Sequence, residues 1–352
     1  MRIFIVGSFS ACTADARVSG TVVSLKHLVR DLEQRERVSL ELLDTGEIRR
    51  SSSNRLIGFL SVVTAVFRGM KRSDVVALHL SPNGFAVLGP IAVLLSWILR
   101  KPIIFRMFGG LDYMELPVMW ARLAHWSVRR VEVFLVQTHE LCRVAESRGI
   151  QTVTWFPTTR PCSSLGVANP HDKDASDYVF LGQIKIEKGI FELIEAFRIL
   201  GSEYQLKVYG PFYDDLDASI FESVDNVEYC GVAAPEEVTS IMSQAKALVF
   251  PTYLSAEGYS GIVIESFTVG LPVLCSRWKF LPEIVDETCG ILFEPKKSEA
   301  IVLAVQSFEQ DPILQDALSR GAYAKRSDFS VESGTDRFLE ACGSALGRNQ
   351  KS

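Results

Sequence analysis

The chain has little of what would mark a secreted, metal-binding or membrane-spanning protein. Its seven cysteines, at positions 12, 142, 162, 230, 275, 289 and 342, are odd in number and include no Cys-x-x-Cys pair. They read as reduced thiols, not as a disulfide framework. Five scattered histidines offer no metal-ligand spacing. The opening residues, Met1-Arg2-Ile3-Phe4-Ile5-Val6-Gly7, form a buried-strand pattern and not a leader peptide, which points to the cytoplasm. The longest apolar run, Phe85 to Leu99, holds 15 residues and includes Gly89 and Pro90. A bilayer span needs roughly 20 residues, so the run reads as a helix that is buried or touches a membrane surface. No Gly-x-Gly-x-x-Gly follows the first strand, which argues against a nicotinamide dehydrogenase. An aromatic-basic module for nucleic acid is also missing, as are repeats and low-complexity tracts.

What is present is a globular composition, 47% hydrophobic and 22% charged over 352 residues, a length that suits two domains. The net charge of −5 conceals an asymmetry. Residues 1–160 carry 21 Lys and Arg against 13 Asp and Glu, and residues 161–352 carry 16 against 29, so the halves stand at +8 and −13. A basic first half suits an anionic partner such as a phosphate or an anionic membrane surface.

Short apolar runs alternate with helical periodicity along the chain. Strands are expected at Ile3–Val6, Val75–Leu80, Pro102–Met107 and Val133–Gln137, with helical segments between them. The stretch from Pro157 to Asp177 is rich in Pro, Ser, Asn and Asp and reads as a linker. The alternation then resumes, with strands at Tyr178–Gly182, Gln205–Tyr209, Val227–Tyr229, Ala247–Pro251, Pro272–Cys275 and Gly290–Phe293. Such alternation specifies parallel sheets covered by helices. The expected fold is therefore α/β, with two Rossmann-like parallel-sheet domains, 1–160 and 161–330, facing a cleft. A last helix, 331–348, is a candidate to pack back on the first domain.

The densest chemical signal runs from Phe250 to Cys275. A strand ends at Pro251, a loop carries Glu257-Gly258-Tyr259-Ser260-Gly261, and a helix begins near Ser260. Exposed amides at a helix start, with Gly261 allowing close approach, suit an anion. Glu265 lies eight positions after Glu257 and could accept from ribose hydroxyls, while Glu257 could meet a sugar. A surface loop with two solvated carboxylates fits the same residues. A second strand-to-helix junction, Gly182-Gln183-Ile184-Lys185-Ile186-Glu187-Lys188-Gly189, puts Lys188 beside the positive end of the next helix, within reach of phosphate or solvent. Val208-Tyr209-Gly210 is a third strand running into a Gly turn.

In order and spacing these segments resemble the retaining GT-B glycosyltransferases of family 4, the "group 1" transferases. Gly182, Lys188 and Gly189 match that family's diphosphate-binding segment, and Pro251, Glu257, Gly258, Glu265, Gly270 and Pro272 match its paired-glutamate segment. The likeness covers Tyr178 to Pro295, about a third of the chain. It departs from the pattern where Gln183 replaces an Arg and where Ser260 replaces a Gly. In the first half, Gly20 resembles the glycine loop under the donor, and Gly109, Gly110 and Asp112 fall where the sugar pocket lies, with Phe108 replacing a common His. His79 ends its strand toward the expected cleft, where a structural role fits it equally, and Arg160 at the hinge is a candidate acceptor or phosphate contact.

The resemblance implies sugar transfer, with retention, from a nucleotide diphosphate donor to a saccharide or lipid-linked saccharide in cell-surface polysaccharide assembly. Glu257 and Lys188 would be catalytic. Gly20, Gln183, Lys185, Gly210, Ser260, Gly261, Ile262 and Glu265 would bind donor. No Asp-x-Asp stands where it would hold a metal, because Asp214-Asp215-x-Asp217 reads as a solvated loop. The expectation is therefore a metal- and cofactor-free enzyme, cytoplasmic or peripheral on the inner membrane face. A sugar-nucleotide epimerase on the same fold and a non-catalytic partner subunit are the alternatives.

Overall fold

A computed structural model describes residues 1–9, 20–51, 54–108, 113–162 and 177–349. The chain divides into two compact units, Met1–Thr159 with Val331–Ser352, and Arg160–Ser330.

In the first unit the order is β1 (Arg2–Gly7), α1 (Gly20–Glu33), β2 (Ser39–Asp44), α2 (Thr45–Ser51), α3 (Arg55–Arg72), β3 (Val75–Leu80), α4 (Pro82–Leu99), β4 (Ile103–Met107), α5 (Val118–Val128), β5 (Val133–Val136), α6 (His139–Ser147) and β6 (Val153–Trp155). Six parallel strands line up as β2-β1-β3-β4-β5-β6. The apolar runs at β3, β4 and β5 are buried along their whole length, as central parallel strands covered on both faces must be. Side chains alternate across the sheet. Ile3 and Ile5 join the cluster under α1, while Phe4 meets Gly69 of α3, where an added Cβ would lie 2.3 Å from the ring. The edge strands β2 and β6 were not expected from the sequence. Their side chains are mostly half-exposed, so neither carries a continuous apolar run.

The second unit runs β7 (Asp177–Leu181), α7 (Ile190–Leu200), β8 (Gln205–Tyr209), β9 (Val227–Tyr229), α8 (Val238–Ser243), β10 (Leu248–Phe250), α9 (Gly261–Thr268), β11 (Val273–Ser276), β12 (Gly290–Phe293), α10 (Ser298–Glu309) and α11 (Pro312–Lys325). Its six parallel strands are ordered β12-β11-β10-β7-β8-β9. In both sheets the chain begins at an interior strand and later reverses direction. That reversal is the topological switch point at which α/β sheets bind ligands outside their carboxyl ends.

The final helix, α12 (Val331–Asn349), belongs to the first unit. Phe338, Ala341, Cys342 and Ala345 recur at helical spacing and join Leu25, Leu28, Val29 and Leu32 of α1 in one core. The sequence reading put Arg160 at the end of the first domain. It lies in the second unit, where its amide donates to Phe329 O at 2.9 Å and it bridges Ser330.

Candidate active site

Two loops of the second unit converge because their strands are neighbours. β7 pairs with β10, so the β7–α7 loop and the β10–α9 loop leave adjacent carboxyl ends. Tyr253 N donates to Glu187 O at 2.8 Å and ties the loops together. Gly189 lets them close. Its φ is +75°, and a Cβ there would lie 2.3 Å from Pro251 O.

This closure brings Lys188 and Glu257 together across 69 residues. Lys188 Nζ lies 2.6 Å from Glu257 Oε2, and Thr252 Oγ1 donates to the same oxygen at 2.9 Å. The ammonium also sits 4.8 Å from the Phe250 ring centroid. Both charged side chains are nearly buried, so each depends on the other for compensation. Ser276 Oγ donates to Thr252 O, and Trp278 Nε1 donates to Leu254 O at 2.9 Å, which fixes the loop that carries Glu257.

Below this pair, α9 begins at Gly261. Ser260 occupies the N-cap without a side-chain hydrogen bond, and no acidic residue stands in the first turn. No acidic side chain of the helix itself therefore offsets its positive end. Glu265, one turn further on, accepts from Arg160 Nε. The Arg160 guanidinium packs over the helix start, so a Cβ on Gly261 would lie 1.9 Å from Nη2. The sequence reading offered Arg160 as an acceptor or phosphate contact, but its charge is engaged by Glu265.

The other expected donor-side residues gather on the same strand ends. Gln183 Nε2 donates to the Tyr213 hydroxyl at 3.3 Å. Lys185 pairs with Glu187 at 3.0 Å, so it does not supply a free charge in place of the missing Arg. Gly210 abuts Gly182 so closely that a Cβ would overlap the Gly182 carbonyl, and this holds the ends of β7 and β8 together. Asp214 accepts from Ile186 N at 3.1 Å and Asp217 from Ser219 N at 2.9 Å, so both acidic residues shape loops.

The first-unit candidates divide. Gly20 is the first residue of α1. Gly109, Gly110 and Asp112 lie outside the described residues. His79, expected either toward the cleft or in a structural role, is buried, with its ring 6.0 Å from Phe108 and 5.7 Å from Phe338. Neither ring nitrogen has a hydrogen-bond partner among the described residues. Burial holds its pKa well below the ordinary histidine value, and the charge of Arg106 pushes it the same way. Arg106, across the β3–β4 ladder from His79, is buried between the Phe108 and Phe156 rings at 4.4 and 4.3 Å. Thr252 and Arg106 were missed in the sequence. Thr252 stands after Pro251, where the family pattern has Ser. Arg106 is a charge inside an otherwise apolar strand.

Two doubly wound parallel sheets, the second with a Lys–Glu pair on glycine-bounded loops at its carboxyl ends, define an α/β protein of two Rossmann-like units. Residues 167–325 match the family described as glycosyl transferases group 1. Over that segment the chain is similar to the group 1 glycosyltransferases, and its fold is the GT-B fold. It is similar to the O-antigen chain mannosyltransferase B of Escherichia coli, 26% identical over 223 residues that cover 60% of this chain and 57% of the relative. It is also similar to the amylovoran biosynthesis glycosyltransferase AmsK of Erwinia amylovora, 28% identical over 144 residues, 36% of this chain and 35% of the relative. The chain thus spans about half or less of the length of these curated relatives. The crystal structure of Anabaena HepE in complex with UDP superposes with a TM-score of 0.76 over 97% of this chain and 99% of that one, at 14% identity.

Proposed function

We propose that the chain transfers a sugar, with retention, from a nucleoside-diphosphate donor to a saccharide or lipid-linked saccharide during cell-surface polysaccharide assembly. The observation that carries this reading is the buried Lys188–Glu257 pair at the carboxyl ends of β7 and β10. Departure of the nucleoside diphosphate places negative charge on the diphosphate, and the site must stabilise it. Lys188 and the open amides at the start of α9 meet that charge without a metal. Glu265, held by Arg160, accepts from the ribose hydroxyls. Glu257 orients the donor sugar and is not a covalent nucleophile. No cofactor enters, because the sugar nucleotide is itself a substrate.

The HepE structure with UDP supports a uridine nucleotide as the first donor class to try, and the O-antigen and amylovoran relatives support a polysaccharide acceptor. The basic first half suits an acceptor at the cytoplasmic face of an anionic membrane. An epimerase needs an acid/base group on the sugar, and the buried, unprotonated His79 is unsuited to that work.

The test is thermal melting with UDP-, GDP-, TDP- and ADP-sugars, followed by product analysis with donor alone and with acceptor. A ligand at 100 times its Kd adds about 2.7 kcal/mol of stability. Stabilisation by one nucleotide series with acceptor-dependent transfer is expected. No stabilisation by any of the four, or conversion of donor alone to an isomer, overturns the reading.

A further inference from the structure

Granted the transfer reading above, we infer that Arg277, Lys279 and Lys296 form a subsite for an acidic group, a carboxylate or a phosphate, on the acceptor saccharide.

The second unit carries its positive charge in pairs, with one exception. From Asp177 to Ser330 the chain has twelve Lys and Arg. Among the described residues, eight of them lie in ion pairs. Arg326 stacks on the Tyr323 ring, 3.4 Å from its centroid. The other three are Arg277, Lys279 and Lys296. All are exposed, and they stand on two neighbouring loops that leave the carboxyl ends of β11 and β12. The half of the chain that holds them stands at −13, so the local field there opposes that of its surroundings.

Backbone contacts fix these loops beside the one that carries Glu257. Arg277 N donates to Phe293 O at 2.6 Å, so the two loops start side by side. Trp278 Nε1 donates to Leu254 O at 2.9 Å, and Lys296 Nζ lies 4.8 Å from the Tyr253 ring centroid. Lys279 and Lys296 have φ of +46° and +62°, the left-handed region that glycine or asparagine occupies more readily. Such strained positions gather where ligands bind. Carboxylates following β10, β11 and β12 do not neutralise the three cations. Glu257 pairs with Lys188, Glu283 accepts from the Tyr259 hydroxyl, and Glu294 pairs with Lys297.

Strand order assigns the cations to a part of the substrate. Along β9-β8-β7-β10-β11-β12, the loops with Gly210, Gln183 and Lys188 lie on one flank of Glu257 and the three cations on the other. A donor that runs from β8 past Lys188 and places its sugar at Glu257 leaves the β11 and β12 loops to what lies beyond that sugar. That is the acceptor. Ammonium and guanidinium groups there select one that carries anionic oxygens.

The full chain is titrated calorimetrically at low salt with trigalacturonate, with its methyl ester and with glucose 1-phosphate. An acidic probe is expected to bind at least about tenfold more tightly than the neutral ester, and to weaken as salt rises. The triple variant Arg277→Gln, Lys279→Gln, Lys296→Gln should lose about tenfold or more, with melting temperature and nucleotide-induced stabilisation unchanged. A charge-matched variant, Arg198→Gln, Lys207→Gln, Arg320→Gln, should bind as the native chain does, because carboxylates already engage those three cations. Loss of trigalacturonate binding in the first variant assigns the acidic group to a carboxylate, and loss of glucose 1-phosphate binding alone assigns it to a phosphate. Ester binding as tight as the acid, equal loss in both variants, full retention by the first, or no binding of either acidic probe overturns the subsite. Nucleotide-induced stabilisation of the native chain tests the transfer reading separately. Its absence, beside acidic-probe binding that the first variant loses, overturns that reading and leaves the anion site standing.

Discussion

Lys188 and Glu257 form a nearly buried ion pair, with Nζ 2.6 Å from Oε2 and side chains 10 and 8% exposed. Before any donor binds, the cation assigned to the diphosphate is already neutralised by the carboxylate assigned to the sugar. A phosphate must therefore compete with Glu257 for Lys188.

Separating the two residues gives different outcomes. Glu257→Gln should hold a nucleoside diphosphate at least as tightly as the native chain, while turnover falls by about tenfold or more. Lys188→Met should lose both binding and turnover, and it strands a buried carboxylate at a cost of about 3 kcal/mol. The double variant should regain most of that stability and none of the activity. Calorimetric nucleotide titration, melting curves and transfer assays read the three effects. Weaker nucleotide binding by Glu257→Gln would remove the competition.

Arg160 holds Glu265 across 105 residues of chain and caps the approach to Gly261. Arg160→Met should raise the donor KM by about tenfold with a smaller change in kcat, because it loosens the ribose acceptor and not the reacting centre. Gly261→Ala should do the same by driving the guanidinium off Glu265. The two changes together should be less than additive, since both disturb one contact. Strict additivity in KM would dissociate Gly261 from Arg160.

His79 imposes a pH dependence on stability. The folded protein keeps it neutral, through burial first and Arg106 second, whereas the unfolded chain takes up a proton near its ordinary value of 6.5. Its contribution is complete above that value and is lost as pH falls below it, by at most about 1.4 kcal/mol per pH unit. Melting temperatures from about pH 7 to pH 5 should fall more steeply for the native chain than for His79→Leu. Parallel curves would mean that His79 is protonated in place.

Phe338 anchors α12 to the first unit. It is fully buried among Phe156, His79 and the α1 side chains. Phe338→Ala should cost about 3 to 5 kcal/mol and lower the denaturant midpoint, while Glu340→Ala at an exposed position of the same helix costs much less. Equal effects from the two would remove α12 from the core.

The strands at the centre of each sheet were legible because burial on both faces forces continuous apolar runs, as in Val75–Leu80 and Ile103–Met107. The strand-to-helix junctions at Lys188 and Glu257 were legible because glycines must stand where loops close. The β2 and β6 edges were not, since one open side removes the run that would announce them. Helices α10 and α11 also went unmarked, because they follow the last strand-to-helix junction and carry no chemical motif.

The sequence by itself determined the alternation of elements, the spacing of Glu257 and Glu265, and the basic stretch around α3 to α5. These are local properties, written in neighbouring residues. Tertiary structure decided who faces whom. Lys188 meets Glu257 only because β7 and β10 are paired, and Arg160 meets Glu265 only because the chain passes α9 on entering the second unit. Charges separated by 69 and 105 residues become partners through strand order and burial, and no local pattern encodes either.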